Sequence, residues 1–437
     1  MTYFIIVVSI AFFCLALKNL RWAVFVIAAI LPAYLIRFSI GPLPGTLLEI
    51  FLLITFAVWI VKIKEVDFKG LRVRIKSWRW PVLLFLIAGV ISIFVAPDKI
   101  AALGLFRAYL VEPILFFIVA LSILKKEDVR QVIMALGISA LAISIYAIFQ
   151  RFTGYGIPAP WDKELRITSF YPFPNAVGLF LGPLIPIFFA QAISNIISFK
   201  DRLQKFAYAK ICNQLFWWIV SILSILAIIF SQSEGAWVGV LVGLAVFGFL
   251  YKKTRLATVV GIAVALVVIF SVPTIREPII QKLTLQDWSG KVRITQWKES
   301  AMMLQDNIFL GTGLAGYPTA FAPYHRATYI EIFQYPHNII LNFLTELGLL
   351  GVIAFAWLII NFFKNTIKLT PPLMGGGRGE SDRILTLSLI ASMTALLIHG
   401  LVDVPYFKND LAVEFWILIT LAILTSASVQ ENKKMIN

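Results

Sequence analysis

Charge is scarce in this chain. Lys, Arg, Asp and Glu make up only 14% of its 437 residues, 60% are hydrophobic, and mean hydropathy is +0.88. A soluble domain of this length carries far more polar surface, so that class is excluded. Cysteine is almost missing as well. Cys14 and Cys212 lie far apart in or beside apolar runs, which gives neither a disulfide framework nor a metal site anything to stand on. No basic region precedes the first apolar run, so it reads as a retained helix and not a cleaved signal. The formal net charge of +15 does not point to nucleic acid. The Lys and Arg residues fall in short loops between apolar runs, as the positive-inside rule expects.

What the chain has in abundance is long apolar runs, near 2–17, 22–36, 45–62, 81–96, 103–124, 131–149, 175–197, 214–230, 235–251, 256–272, 338–361, 384–403 and 411–427. They predict an all-α polytopic membrane protein with about 12–14 transmembrane helices. Basic clusters at 18–21, 62–79, 125–130, 200–210, 252–255, 364–383 and 433–434 mark cytoplasmic loops. If every run spans, the N-terminus lies outside and the C-terminus inside. The expected organisation is a transmembrane bundle over 1–272, a large extracytoplasmic loop over 273–336, and transmembrane helices over 337–427. A flexible cytoplasmic loop at 362–383 (with Pro371-Pro372 and Gly375-Gly376-Gly377) interrupts the last group, and 428–437 is a cytoplasmic tail. A second outer loop covers about 150–174. Within the large loop, 291–305 reads as an amphipathic helix with Val292, Trp297, Ala301 and Met302 on its apolar side. Gly311, Gly313 and Gly316 then mark a tight turn. No internal repeat suggests the inverted halves of a transporter.

Three features converge on the outer side. Arg166 is followed by Pro174-Asn175 at the mouth of a helix. Arg293 sits in the amphipathic helix with Lys291 beside it. His337 follows Pro336, which biases the preceding residue away from helix, so a helix is expected to start near His337 and run to about Asn361. Two guanidiniums and an imidazole at one face suit an anionic substrate entering from the lipid, since arginine holds phosphate oxygens bidentately. Helix N-termini add N–H groups and a favourable dipole. The plainer readings are a solvated arginine and a capping histidine.

Other polar residues lie inside apolar runs. Asn338, Asn342 and Glu346 share a stripe, with Glu346 roughly 12 Å below Asn338. A carboxylate at that depth needs a partner or a role. Arg107 and Glu112, five apart, are expected to pair structurally. His399 and Asp403, at i and i+4, are expected to share a helix face, with Asp410 and Glu414 on the same side. Their spacing matches no metal-ligand signature, so no metal and no cofactor is expected.

The run His337-Asn338, Leu341, Leu344, Glu346, Gly348, Gly351 resembles the His-Asn-x-x-Leu-x-x-Leu-x-Glu-x-Gly-x-x-Gly signature of the O-antigen ligase and polymerase superfamily. Arg166 with Pro174-Asn175, Ser231-x-Ser233 with Gly235-Ala236-Trp237, Arg293-x-x-x-Trp297, and His399-Gly400-x-x-Asp403 are similar to its other motifs, in its order. The resemblance covers roughly 160–420. Ser169, Glu234 and Ile308 depart from it, standing where the family often has Gly, Arg and Pro.

The resemblance implies a GT-C-like membrane glycosyltransferase, inverting and metal-independent, at the outer face of the bacterial inner membrane. Its donor would be a glycan on undecaprenyl pyrophosphate. Its acceptor would be a hydroxyl of lipid A core, another glycan or a protein, corresponding to ligase, polymerase or protein O-oligosaccharyltransferase. Arg166 and Arg293 would hold the pyrophosphate and His337 would take the acceptor proton. Asn338, Glu346, Arg107, His399 and Asp403 would support them. A lipid-linked oligosaccharide flippase is the alternative from another class. It predicts charged residues lining a path from both faces.

Overall fold

A computed structural model describes residues 2–40, 43–199, 207–368, 370 and 378–436. The chain is almost entirely helical. The described strands are the short antiparallel pair Arg37–Ile40 and Leu43–Thr46, in which Arg37 faces Thr46 and Phe38 faces Gly45. The protein is an all-α polytopic membrane protein. Six described helices are long and apolar enough to cross a bilayer, or up to eight if each of two bent pairs counts as one span. Tyr3–Lys18, Leu20–Ala29, Leu47–Val61 and Glu234–Leu250 are apolar but shorter. The expected 12–14 counted such short runs as spans.

Two groups of helices position the candidate site. The helix Asn409–Ile436 is the hub: its residues 410–425 are all buried, although a lone transmembrane helix would face lipid on most sides. Beside it, Pro174–Phe199, Glu234–Leu250 and Arg378–Gly400 pack together. Gly235, Gly239 and Gly243 recur every four residues on the middle helix. A Cβ at Gly239 would lie 2.7 Å from Ala395 O, and one at Gly243 2.8 Å from Ala391 O. Small residues at that spacing let helix backbones approach where no hydrophobic effect drives them together. Gly235 faces His399 in the same way, at 2.7 Å from its Cδ2.

The helix of the His-Asn motif runs from Ile339 to Lys368, later at both ends than expected, and it is broken at Gly348 (φ 67°, ψ −169°). A Cβ there would fall 2.3 Å from Phe309 O, so the position needs glycine for conformation and for space. The loop after the 288–307 helix docks at this break. Thr312 N donates to Thr345 O (2.6 Å), Leu349 N donates to Phe309 O (3.1 Å), and Glu346 accepts from Ala315 N (2.7 Å). Those bonds satisfy carbonyl and amide groups that a broken membrane helix would leave bare.

The large loop is helical over Pro273–Leu283, Trp288–Asn307 and Tyr317–Phe321. The face expected to be apolar is not the buried one. Val292, Trp297 and Met302 are only partly buried and Ala301 is exposed, whereas Gln296, Glu299, Ser300, Met303 and Leu304 are buried. Three of these are polar and can be buried because each is hydrogen-bonded. Gln296 donates to Tyr335 O (2.9 Å), Ser300 and the Tyr317 hydroxyl share a bond (2.8 Å), and Glu299 accepts from Arg326 N (2.9 Å) and Ala327 N (3.0 Å). The expected flexible loop at 362–383 is helical to Lys368 and again from Arg378; 371–377 lie outside the described residues, as does most of the basic cluster at 200–210. The final helix extends to Ile436, through most of the expected tail.

Candidate functional site

The site is built from four separate stretches. Trp161–Glu164 forms a short turn, and Arg166 follows it. Pro174 opens the next helix with its fixed φ, which places Asn175 in the first turn. Arg166 Nη2 donates to Asn175 Oδ1 at 2.8 Å, and its Nε donates to Ser231 O at 2.8 Å. The guanidinium lies 4.9 Å over the Trp161 ring. Burial, with Arg293 nearby, pushes the Arg166 guanidinium down from its ordinary value against the pull of Glu234 and Glu164. It remains a cation at any physiological pH.

Asn175 continues the chain of bonds. Its Nδ2 donates to Asp403 Oδ2 at 3.0 Å. The other Asp403 oxygen accepts from Val404 N at 2.9 Å and faces His337 Nδ1 at 3.4 Å. Arg293 joins from the opposite side: its Nε donates to Val402 O (3.1 Å) and its Nη1 to Ser289 Oγ (3.2 Å). Arg166, Arg293 and His337, 171 positions apart along the chain, therefore meet around the 401–403 turn. Arg166 Nη1 and Arg293 Nη2 make no hydrogen bond with the described residues, which leaves each guanidinium a donor for an external anion.

Burial alone would push the Asp403 carboxyl up. The hydrogen bond from His337, with the charges of His337, His399 and Arg293, outweighs it and holds the group well below the usual carboxylate range. Asp403 is thus ionised at neutral pH. The sign follows: a depressed carboxyl contributes stability above its unfolded value of about 3.9 and loses it only as pH falls through the lower folded value. An ionised Asp403 fixes the proton on His337 Nδ1, leaving Nε2 as a proton acceptor.

His337 itself is strained. Its φ is 48°, in the left-handed region where non-glycine residues are uncommon. It precedes the helix, and Asn338 acts as the cap: its side chain accepts from Leu341 N (3.0 Å) and donates to Leu401 O (2.9 Å). Trp297 Nε1 donates to Pro336 O at 2.7 Å, so the 288–307 helix pins the peptide just before the histidine. Phe333 and Tyr335 set their edges against the ring, at centroid distances of 5.1 and 4.8 Å. The side chain stays 19% exposed, open to a substrate. Strain of this kind, held by surrounding bonds, is a feature of functional sites.

One expectation about this group is corrected. Asp403 does not share a helix face with His399. The helix ends at Gly400, two turn bonds carry Leu401 and Val402 away, and Pro405 bars its continuation. Asp403 turns instead to His337. His399 packs against Gly235 and stays buried, and its Nδ1 has no hydrogen-bond partner among the described residues. Glu346 accepts from Ala315 N. Arg107 pairs with Glu49 (3.1 Å) and Glu112 (3.2 Å). The π-helical turn at Arg107–Val111 sets residues five apart on one face, which is why the second pair forms. Asp410 accepts from the Tyr171 hydroxyl at 3.1 Å, and neither Glu414 oxygen has a hydrogen-bond partner among the described residues. Glu234 pairs with Lys282.

Trp161 is the residue that sequence reasoning passed over, and what it missed of Asn175 is the bond to Asp403. Asn175 was visible beside Pro174 at a helix mouth; nothing marked Trp161. The left-handed Ser169 (φ 53°), where the family signature often has glycine, shows why that position tolerates few residues. Its hydroxyl donates to Ile143 O (2.8 Å), and its amide donates to Gln150 Oε1 (2.7 Å).

The roles of Asp403 and His337 can be separated. Asp403→Asn keeps the shape but can present its amide N–H to His337 Nδ1, favouring the wrong tautomer. Transfer of whatever group the site handles is expected to fall on the order of tenfold to a hundredfold. An unchanged rate in purified protein of normal melting temperature would remove the tautomer argument.

Residues 219–356 match the family model described as O-antigen ligase. The matched segment includes Arg293 and His337 but stops short of Asp403, and it begins after Arg166 and Asn175. No curated protein matches the chain.

Proposed function

We propose that the chain, whose residues 219–356 match the O-antigen ligase family model, is a glycosyltransferase of that type. It moves a glycan from undecaprenyl pyrophosphate to an acceptor hydroxyl at the outer face of the bacterial inner membrane. The observation that carries this reading is the bonded chain Arg166–Asn175–Asp403–His337, with Arg293 tied to the same turn. It puts a proton acceptor beside two cations that each keep a free donor.

The chemistry follows from that arrangement. His337 Nε2 takes the proton of the acceptor hydroxyl as its oxygen bonds to the anomeric carbon. The bond from that carbon to the pyrophosphate oxygen breaks, and the leaving group keeps the electron pair. Attack opposite the leaving group inverts the anomeric centre. Charge builds on the departing pyrophosphate, where Arg166 and Arg293 stabilise it more in the transition state than before. The donor is already activated, so orientation and charge stabilisation account for the catalysis, and the guanidiniums do what a metal ion would otherwise do.

A flippase calls for charged groups along a path from both faces. Here the two arginines and the histidine gather at one end, which favours chemistry at that face. Deleting the gene and running the cell's glycans on gels tests the proposal. Long chains lost from lipid A core indicate a ligase, chains cut to one repeat a polymerase, and loss of a glycoprotein a protein transferase. Unchanged glycans in all three fractions would overturn the assignment.

A further inference from the structure

The extracytoplasmic loop carries a pair of large aromatic rings that the fold leaves uncovered. Trp288 is 68% exposed and Tyr329 69% exposed, yet their centroids lie 6.2 Å apart with the ring planes at 46°. They form an open wedge and not a packed stack, so each ring keeps a face free. From this juxtaposition we infer that Trp288 and Tyr329 form a carbohydrate platform, binding pyranose rings of the lipid-linked glycan next to the pyrophosphate. The inference rests on the function proposed above and adds where that glycan lies.

The backbone beneath both rings is held in place. Trp288 is the first residue of its helix, capped by Asp287, which accepts from Gly290 N (3.2 Å) and the Ser289 hydroxyl (2.6 Å). Tyr329 stands on a turn closed by Ile330 N donating to Ala327 O (2.8 Å). That turn is clamped to the same helix by Glu299, which accepts from Arg326 N and Ala327 N. His325 ties the turn's end: one ring nitrogen meets Glu299 Oε2 and the other Ile330 O, both at 2.9 Å. The Glu299 carboxyl, which burial would raise, is held lower by its bonds from His325 and the two amides. A rigid exposed aromatic surface loses little conformational entropy on binding.

Position points to the ligand. Ser289, next to Trp288, accepts the hydrogen bond from Arg293 Nη1. Trp288 is thus about one and a half helical turns from an arginine assigned to the pyrophosphate. Tyr329 lies eight residues before His337. One face of a pyranose ring is lined by C–H groups, which pack on an aromatic face, while its hydroxyls need polar neighbours. Asp287, Ser289, Lys291, Thr328 and Glu331 stand within three residues of one ring or the other along the chain and offer such groups.

The test uses the full chain in lipid nanodiscs and two probes: undecaprenyl pyrophosphate carrying one glycan repeat, and undecaprenyl pyrophosphate with no sugar. Wild-type protein should bind the glycosylated lipid more tightly. Trp288→Ala/Tyr329→Ala should bind it on the order of tenfold more weakly while binding the bare lipid normally. Trp288→Phe/Tyr329→Phe, which keeps two rings and guards against misfolding, should retain most of the affinity. An alanine variant that keeps the wild-type preference for the glycosylated probe overturns the platform. So does equal weakening toward both lipids, which marks a membrane or structural role. Wild-type protein that neither prefers the glycosylated lipid nor transfers its glycan overturns the parent function as well, which separates the two failures.

Discussion

Replacing His337 with alanine is expected to lower glycan transfer by about 10²–10⁴-fold, the usual loss when a general base is removed. Membrane insertion should hold and melting temperature should fall only slightly, because Asp403 keeps its bonds from Asn175 Nδ2 and Val404 N when the ring is lost. The ring's contacts are the pairing of its Nδ1 with Asp403 Oδ1 and the edges of Phe333 and Tyr335. Alanine at φ 48° remains strained, so His337→Gln is the companion variant: it keeps a polar side chain and lacks the base. Both should bind the donor lipid normally. Transfer at the wild-type rate in either variant, measured on purified protein, would end the assignment of His337 as proton acceptor.

The second large effect concerns charge of the right shape. Arg293→Lys keeps a cation but loses the fork that donates at once to Val402 O, to Ser289 Oγ and to an external oxygen. Arg166→Lys likewise loses the bonds to Ser231 O and Asn175 Oδ1, and with them part of the support for Asp403. Charge-assisted hydrogen bonds contribute roughly 1.5–3 kcal/mol each, so the double replacement is expected to weaken pyrophosphate binding roughly a hundredfold or more. Steady-state transfer against donor concentration checks this.

Much of the candidate site was legible because its parts are local. Apolar run lengths gave a polytopic helical protein, and Pro174 and Pro336 marked where Asn175 and His337 come to a helix mouth. What could not be read was each residue's partner across the fold. Spacing set Asp403 beside His399, but Gly400 ends the helix and the carboxylate turns to a histidine 66 positions away. Hydrophobic periodicity also picked the wrong face of the 288–307 helix. Gln296, Glu299 and Ser300 are buried there by partners from 317–335 that no local pattern reveals. The same holds at Gly348. Its motif was visible, while its cause, a loop pressed into a broken helix, lies in contacts with Phe309 and Thr312.

The claim beneath all of this is that Arg166 and Arg293 serve one anion beside His337. The dissociation constant of sugar-free undecaprenyl pyrophosphate, measured for wild-type protein and for Arg166→Lys/Arg293→Lys in nanodiscs, tests it most directly. A loss of roughly a hundredfold in the double variant, with melting temperature kept, is the predicted result. Equal affinity in the two proteins would contradict it.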